Sequence, residues 1–172
     1  MPKRIAVLVS DHYIDHQYLA PVEAFRAAQH QVTTLEIEAA KIVHGCEHLS
    51  SATIDQSIRD VAVDDFDVLF IPGGESPHFL AQNPEVLEFI RAFSLANKTI
   101  MSLSEASLLL SAADILSNRL ITSMRSHAAQ LQQAGGIYYD AELVNDNNQI
   151  ISSRKIEDLP VFIHECLTVL KA

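Results

Sequence analysis

The sequence has few cysteines, few basic residues and no long apolar run, and each shortage excludes a class of protein. Two cysteines, Cys46 and Cys166, are too few for a disulfide framework, so we expect a protein of the reducing cytoplasm. Twelve basic side chains against 22 acidic ones give a net charge of −10, which repels nucleic acids and anionic membranes. The apolar run at residues 5–9 is too short for a signal segment, and no run is long enough to span a membrane. We therefore expect a cytoplasmic protein whose partners are neither nucleic acids nor membranes.

Internal repeats, linkers and low-complexity segments are also absent. A chain of 172 residues, of which 48% are hydrophobic, can build one core without a disulfide or a metal ion. We therefore expect residues 1–172 to form a single domain.

Apolar runs of strand length alternate along the chain with amphipathic helical patterns. Residues 5–9 and 66–71 are typical of buried parallel strands. Pro21 suits the first turn of the helix that follows the first loop, and the asparagine-rich residues 145–148 predict a hairpin turn. The alternation predicts an α/β sandwich around a mostly parallel sheet.

Three loops leave the carboxyl ends of predicted strands, where open α/β sheets bind their ligands. They are residues 10–15, residues 73–77 and the turn at Ser104. Two carboxylates, Asp11 and Asp15, border the first loop and could each hold a histidine in one tautomer, although helix capping explains Asp15 equally well. We expect the three loops to converge on one site.

The turn at Ser104 has the pattern of a nucleophile elbow. An apolar strand breaks at this single hydroxyl and continues directly as a helix, and the small residues Ser102 and Ala106 flank it at two-residue offsets. We call residues 102–106 the elbow. The alternative is that Ser104 only caps the helix, with its hydroxyl accepting a hydrogen bond from a main-chain N–H.

Gly73 and Gly74 follow a buried strand and can present consecutive N–H groups to an oxyanion. The alternative is a tight turn before a helix that begins near Pro77. The lysine and serine or threonine that end a phosphate-binding loop are missing, so nucleotide binding is not predicted.

Histidine is frequent in this chain, with eight residues. His12 with His16, and His44 with His48, have spacings that could bring two imidazoles together, and Cys46 lies within the second pair. Because no third and fourth ligand is evident, scattered surface histidines are the favoured interpretation. We predict neither a metal site nor a cofactor.

Four segments carry a resemblance to a known family: residues 72–77, the elbow, residues 133–135 and residues 153–160. Together they resemble the ThiJ/PfpI family of the class I glutamine amidotransferase-like superfamily, nearly end to end, and most closely its intracellular protease and general stress protein branch. The resemblance implies a flavodoxin-like three-layer sandwich with a mostly parallel central sheet, and a homodimer or larger oligomer. It also implies a hydrolase site in which a cysteine at the elbow precedes a histidine and faces a glutamate of the first loop.

The chain departs from that pattern where the resemblance places the chemistry. Ser104 stands in place of the cysteine, and Glu105 in place of the histidine. Ile14 and Gln17 occupy the two positions that resemble the acidic positions of the family. A serine hydroxyl needs a neighbouring base before it can act as a nucleophile, and an amide cannot be that base.

Further departures concern the surroundings of the elbow. Ala106 and Ser107 replace the usual Gly-Pro, and His78 stands where PfpI-type proteins often place a glutamate that reaches a neighbouring subunit. The residues predicted to form the oxyanion site and pocket are Gly73, Gly74, Glu75 and Ala106.

Two functions follow from these residues. The first is a stress-related pocket protein that has lost the cysteine chemistry and binds a small molecule or a peptide. The second is a serine-type peptidase or amidase that uses Ser104 with a histidine base and the two glycine amides as oxyanion hole. Glu105 would then serve the helix dipole rather than act as the base. The candidate bases are His12, His16, His78 and His127.

Overall fold

The computed structural model describes residues 1–172 and contains eleven strands and six α-helices. The strands are β1 (Arg4–Leu8), β2 (Gln31–Glu36), β3 (Ile42–His44), β4 (Ser51–Thr53), β5 (Gln56–Ser57), β6 (Val68–Ile71), β7 (Thr99–Leu103), β8 (Leu120–Ile121), β9 (Ile137–Tyr138), β10 (Val144–Asp146) and β11 (Ile150–Ser153). The helices are α1 (Asp15–Ala27), α2 (Ser76–Ala81), α3 (Pro84–Leu95), α4 (Ala106–Ala112), α5 (Ala128–Gln133) and α6 (Leu159–Lys171). None of these helices has the length and apolar composition that a membrane crossing requires.

Seven strands form a central sheet in the order β10-β11-β7-β6-β1-β2-β5, and four others pair as β3-β4 and β8-β9. Every neighbouring pair in the central sheet is parallel except β10 with β11. The prediction of a mostly parallel sheet is therefore confirmed. Because β1, β6 and β7 lie side by side, the loops that follow them leave the same edge of the sheet.

Helices cover both faces of the central sheet, because side chains alternate between the faces along each strand. In β1, Ile5 and Val7 join the apolar cluster of α1 and α6, whereas Ala6 and Leu8 join the cluster of α3 and α4. The architecture is the flavodoxin-like α/β sandwich that the family resemblance implies.

The hairpin of β10 and β11 confirms the prediction made from its asparagine-rich turn. The two strands pair antiparallel from Val144 opposite Ser152 to Asp146 opposite Ile150. In the turn, the φ angles of Asn147 and Asn148 are 52° and 59°, a left-handed conformation that asparagine tolerates well.

The start of α1 corrects the sequence prediction. Pro21 lies in the interior of this helix and not in its first turn, because the helix already begins at Asp15. Proline removes one main-chain N–H from a helix, but Pro21 is buried on the same face as Val22 and Phe25, and this packing overrides the local preference. As a consequence, Gln17 belongs to the first turn of the helix, where it is buried.

Candidate functional site

The elbow joins β7 to α4 through a left-handed residue. Ser104 has a φ of 51°, and its main-chain N–H donates to the carbonyl of Ser153 at 3.0 Å, which extends the pairing of β7 with β11. The flanking side chains of Ser102 and Ala106 are fully buried, which explains why small residues are needed there. The strand, turn and helix follow the predicted elbow geometry.

The hydroxyl of Ser104 does not cap the helix, so the capping alternative is wrong. It donates to the carbonyl of Arg154 at 2.6 Å and accepts from Nε2 of Gln17 at 2.7 Å, and no side chain caps the first turn of α4. The side chain is buried, with 1% of Ser104 exposed. Its hydrogen-bond partners are an amide and a carbonyl, and neither can remove a proton from the hydroxyl.

Gln17 bridges two of the three loops. Its Oε1 accepts from the main-chain N–H of Gly73 at 2.9 Å, while its Nε2 donates to Ser104. The Gly73 N–H can only donate, so the amide oxygen must face it and the NH₂ group must face the serine. The residue is 1% exposed and bonded at both polar atoms.

Glu105 turns away from Ser104 and reaches across to residues 73–77, which we call the glycine loop. Its Oε2 accepts from the main-chain N–H of Gly74 at 2.7 Å. Together with the bond from Gly73 to Gln17, this leaves neither glycine amide free to bind an oxyanion. In this structure, side chains of the protein itself occupy the two amides, and the loop leads directly into α2 as in the tight-turn alternative.

Gly73 lies where three side chains of the site meet. A Cβ at this position would be 2.5 Å from Oε1 of Gln17, 2.6 Å from Oε2 of Glu105 and 2.8 Å from Cβ of Ser104. These distances are shorter than any normal contact, so the close approach of the three side chains requires glycine.

Main-chain hydrogen bonds join the first loop to the glycine loop. The N–H of Ile14 donates to the carbonyl of Gly73 at 3.1 Å, and the N–H of Glu75 donates to the carbonyl of His12 at 3.0 Å. Because Gln17 is bonded to Ser104 and Glu105 of the elbow is bonded to Gly74, the predicted convergence of the three loops is confirmed. Asp15 takes no part in the site, because its carboxylate bonds to the hairpin of β3 and β4.

A second set of hydrogen bonds holds the carbonyl of Ser104. It accepts from the hydroxyl of Ser123 at 2.7 Å and from the hydroxyl of Ser107 at 3.0 Å. The hydroxyl oxygen of Ser123 lies 3.1 Å from Nδ1 of His127. The hydroxyl of Tyr138 donates to the main-chain carbonyl of Ser123 at 3.0 Å. His127 is thus linked through Ser123 to the main chain of the elbow, and it makes no hydrogen bond to the Ser104 hydroxyl.

The side chain of Arg154 helps to fix its own main-chain carbonyl, which accepts the hydrogen bond from the Ser104 hydroxyl. Its main-chain N–H and its guanidinium donate to Asp158 at 3.0–3.1 Å, and the guanidinium also donates to Asp140 at 3.0 Å. The hydrogen bond to Asp158, and to a smaller extent the one to Asp140, raises the pKa of Arg154 above its ordinary value. The sequence does not indicate the roles of Ser123 and Arg154, because their contacts to the elbow involve main-chain oxygens that no residue pattern encodes.

A cavity of about 400 Å³ opens beside the elbow, between α2, α4 and α5. Four of the predicted site residues line it: Gly74, Glu75, His78 and Glu105. The other four, which are Gln17, Gly73, Ser104 and Ala106, are buried and do not line it. The cavity and the serine hydroxyl are therefore separated.

The remaining histidines lie apart from the serine hydroxyl. His12 is exposed with a φ of 62°, its ring centroid 6.0 Å from that of Phe79, and His16 is exposed on α1. The exposed side chains of His44, Cys46 and His48 do not form a group that could hold a metal ion.

The two thiols have raised pKa values, which makes them weak nucleophiles. Burial raises the pKa of Cys166 well above its ordinary value. Cys46 is exposed, and its incomplete hydration together with the charges of Asp15 and Glu47 raises the pKa of its thiol.

Sequence comparison identifies relatives along the whole chain. A sequence profile described as the DJ-1/PfpI family matches residues 3–169. The protein/nucleic acid deglycase 2 of Escherichia coli (strain K12) is 37% identical over 172 residues, which cover 100% of both chains. Two Bacillus subtilis (strain 168) proteins, the candidate cysteine protease YraA and general stress protein 18, are 40% and 35% identical over 171 residues, covering 99% of this chain and 100% and 99% of theirs.

Solved structures share the fold at lower sequence identity. A two-domain protein of Anabaena variabilis, with DJ-1/ThiJ/PfpI-like and ferritin-like domains, superposes with a TM-score of 0.94 at 24% identity, over 98% of this chain and 50% of that one. DJ-1beta of Drosophila melanogaster superposes with a TM-score of 0.89 at 22% identity, over 99% of this chain and 91% of that one.

Proposed function

The chain belongs to the DJ-1/PfpI family, and from that premise we propose that it is a non-catalytic member, which binds a small molecule or a peptide in the cavity beside the elbow and serves a stress-related role. One observation carries the proposal: the Ser104 hydroxyl is buried and bonded to the Gln17 amide and the Arg154 carbonyl. Without a base to accept its proton, a serine hydroxyl is a poor nucleophile at neutral pH.

The glycine loop supports the same proposal. An oxyanion hole stabilises a transition state only if its donors are free when the charge develops. Here the N–H groups of Gly73 and Gly74 are bonded to Gln17 and Glu105. A carbonyl substrate would have to displace a buried amide and a carboxylate before it reached either donor.

The second candidate is a serine-type peptidase or amidase. The observation that favours it is the left-handed φ of 51° at Ser104, because strained backbone conformations cluster at active sites. His127 would be its base, since Ser123 already links this imidazole to the elbow. That mechanism requires the side chains of Ser104 and His127 to leave their present hydrogen bonds.

We further propose that residues 1–172 act as a single domain, in the cytoplasm, within a homodimer or larger oligomer. The coverage of 100% of both chains in the comparison with deglycase 2 supports the single domain. The family resemblance supports the oligomer, and His78 is exposed on α2, where a neighbouring subunit can reach it. Light scattering on the purified protein tests this; a monomer across the assayed concentration range contradicts it.

Restoring the family residues tests the loss of catalysis. We expect no turnover of glyoxal-modified peptides or of peptidase substrates by the wild type or by Ser104→Ala. The triple variant S104C/Q17E/E105H introduces a thiol, a carboxyl group and an imidazole at the three positions where the chain departs from the family pattern. We expect its turnover to exceed the uncatalysed background rate on the order of 100-fold, because a positioned base contributes about that much.

The variant Ser94→Cys is the matched control, because it adds a thiol on α3 without touching the elbow. It must remain as inactive as the wild type. Wild-type turnover that disappears in Ser104→Ala would overturn the non-catalytic proposal and support the serine hydrolase. In that case, His127→Gln should also abolish it.

A further inference from the structure

The cavity beside the elbow has an apolar wall and an acidic rim. Leu108 and Leu109 of α4 and Pro77 of α2 contribute to the wall, while Glu75 and Glu105 contribute carboxylates. Its volume of about 400 Å³ lies within the range of roughly 300–1,000 Å³ that is typical of small-molecule sites.

The two carboxylates are not neutralised by the protein. Neither Glu75 nor Glu105 takes part in any of the nine ion pairs of the chain. No lysine or arginine lines the cavity. Because the whole chain also carries a net charge of −10, the potential around this opening favours cations.

The main-chain N–H of Gly74, which could donate a hydrogen bond to an anionic or carbonyl oxygen of a ligand, already has a partner in the protein. The Gly74 N–H faces the carboxylate of Glu105 at 2.7 Å, which makes the protein supply the anion in its own site. A ligand carboxylate or phosphate would therefore meet a negative charge where it needs a donor. A ligand that donates hydrogen bonds meets free carboxylate oxygens instead, since a carboxylate has about four acceptor positions.

We propose that this cavity binds a small organic cation, with its ammonium or guanidinium group at Glu75 and Glu105 and its aliphatic part against Leu108 and Leu109. The inference rests on the proposed function, whose ligand class it specifies. Glu105 acts in it as a binding residue, held in place by the Gly74 amide.

Three probes of equal length test the charge preference on the full chain: pentylammonium, pentan-1-ol and pentanoate. Isothermal titration calorimetry, supported by chemical-shift mapping, measures their dissociation constants at low and at moderate salt. We expect pentylammonium to bind about tenfold more tightly than pentan-1-ol, because two partly solvated carboxylates attract its charge, and pentanoate to bind more weakly than the alcohol. Salt should reduce the preference.

Charge-neutral variants show which residues cause the preference. Glu105→Gln retains an oxygen that can accept from Gly74, so it removes the charge while it keeps the hydrogen bond. Glu75 is exposed, so we expect Glu75→Gln to leave the fold unchanged. We expect each to reduce the preference several-fold and the double variant to abolish it. Glu88 is an exposed residue of α3 outside the cavity. Glu88→Gln removes one negative charge, as each of the other variants does, and the protein should retain the preference for pentylammonium.

Equal binding of pentylammonium and pentan-1-ol, tighter binding of pentanoate, or no binding of any probe up to the solubility of the alcohol would overturn the inference. A preference that survives the double variant would do so too. These outcomes are separate from a failure of the proposed function, which appears as turnover in the wild type and does not depend on which probe binds.

Discussion

Ser104 and Gln17 form a pair in which each polar group has a matching partner. The amide of Gln17 donates to the hydroxyl and accepts from Gly73, and the hydroxyl donates a hydrogen bond to the Arg154 carbonyl. An ionised glutamate at position 17 could accept from Gly73 but could not donate to Ser104. The two departures from the family pattern therefore suit each other, and a change at one of them alone leaves a buried polar atom without a partner.

Ser102, two residues before Ser104, lacks such a partner. Its hydroxyl is buried and unbonded, whereas the hydroxyl of Ser152, its neighbour on β11, accepts from the N–H of Thr122 at 3.0 Å. We expect Ser102→Ala to raise the free energy of unfolding by about 1 kcal/mol and Ser152→Ala to lower it by about as much, measured by urea denaturation. A less stable Ser102→Ala protein would contradict the expectation.

Among the secondary structure elements, the hairpin of β3 and β4 depends on the first residue of α1. The Asp15 carboxylate accepts from the N–H groups of Glu47 and Leu49 at 2.9 and 3.1 Å and from the hydroxyl of Ser50 at 2.7 Å. Burial alone would raise the pKa of Asp15, but these hydrogen bonds lower it below its ordinary value. The hairpin turn is therefore stabilised by an ionised carboxylate of the helix.

Asp15→Asn tests this attachment. An asparagine has one acceptor oxygen, so part of the hairpin turn loses its partner, and we expect the stability to fall by about 1–3 kcal/mol. Amide hydrogen exchange of residues 47–50 should accelerate. Glu47→Gln removes a charge from the same exposed turn without touching the acceptor, and its exchange should match that of the wild type. In the wild type, this contribution is present above pH 4 and is lost as the pH falls through the lowered pKa of Asp15.

Across the whole molecule, the two edges of the sheet carry different chemistry. The elbow and the cavity occupy the carboxyl edge, while the amino edge holds His30, whose Nδ1 accepts from the N–H of Lys3 at 3.0 Å just before β1. Partial burial, followed by the charges of the N-terminus and Lys3, lowers the pKa of His30. This imidazole is therefore neutral in the folded state at a pH where an unfolded chain would protonate it.

The pH dependence of stability follows from that difference. A histidine whose pKa is lowered by folding binds its proton more readily in the unfolded chain, so its destabilising effect begins as the pH falls below about 6.5. We expect the melting temperature to decline between pH 7 and pH 5. His30→Asn, which retains an acceptor near the position of Nδ1 but does not titrate, should show a smaller decline. Identical profiles for the two proteins would refute the assignment.

The sheet, the elbow and the meeting of three loops could be predicted from sequence, because apolar runs and chain order determine which strand ends lie together. The start of α1 could not, since Pro21 is a local signal that tertiary packing overrides. The hydrogen bonds from the N–H groups of Gly73 and Gly74 to Gln17 and Glu105 could not be predicted from the sequence either. A glycine pair indicates that the main chain can be approached closely, but it does not tell whether a substrate or a side chain of the same protein makes the approach.

The left-handed conformation of Ser104 belongs to the main chain and not to its hydroxyl. The N–H is held by Ser153 and the carbonyl by Ser107 and Ser123, and none of these bonds involves the side chain at position 104. The main chain of the elbow therefore fixes the direction in which any side chain leaves position 104. A cysteine placed there should therefore start from the same Cα–Cβ direction as the serine, whatever its thiol contacts.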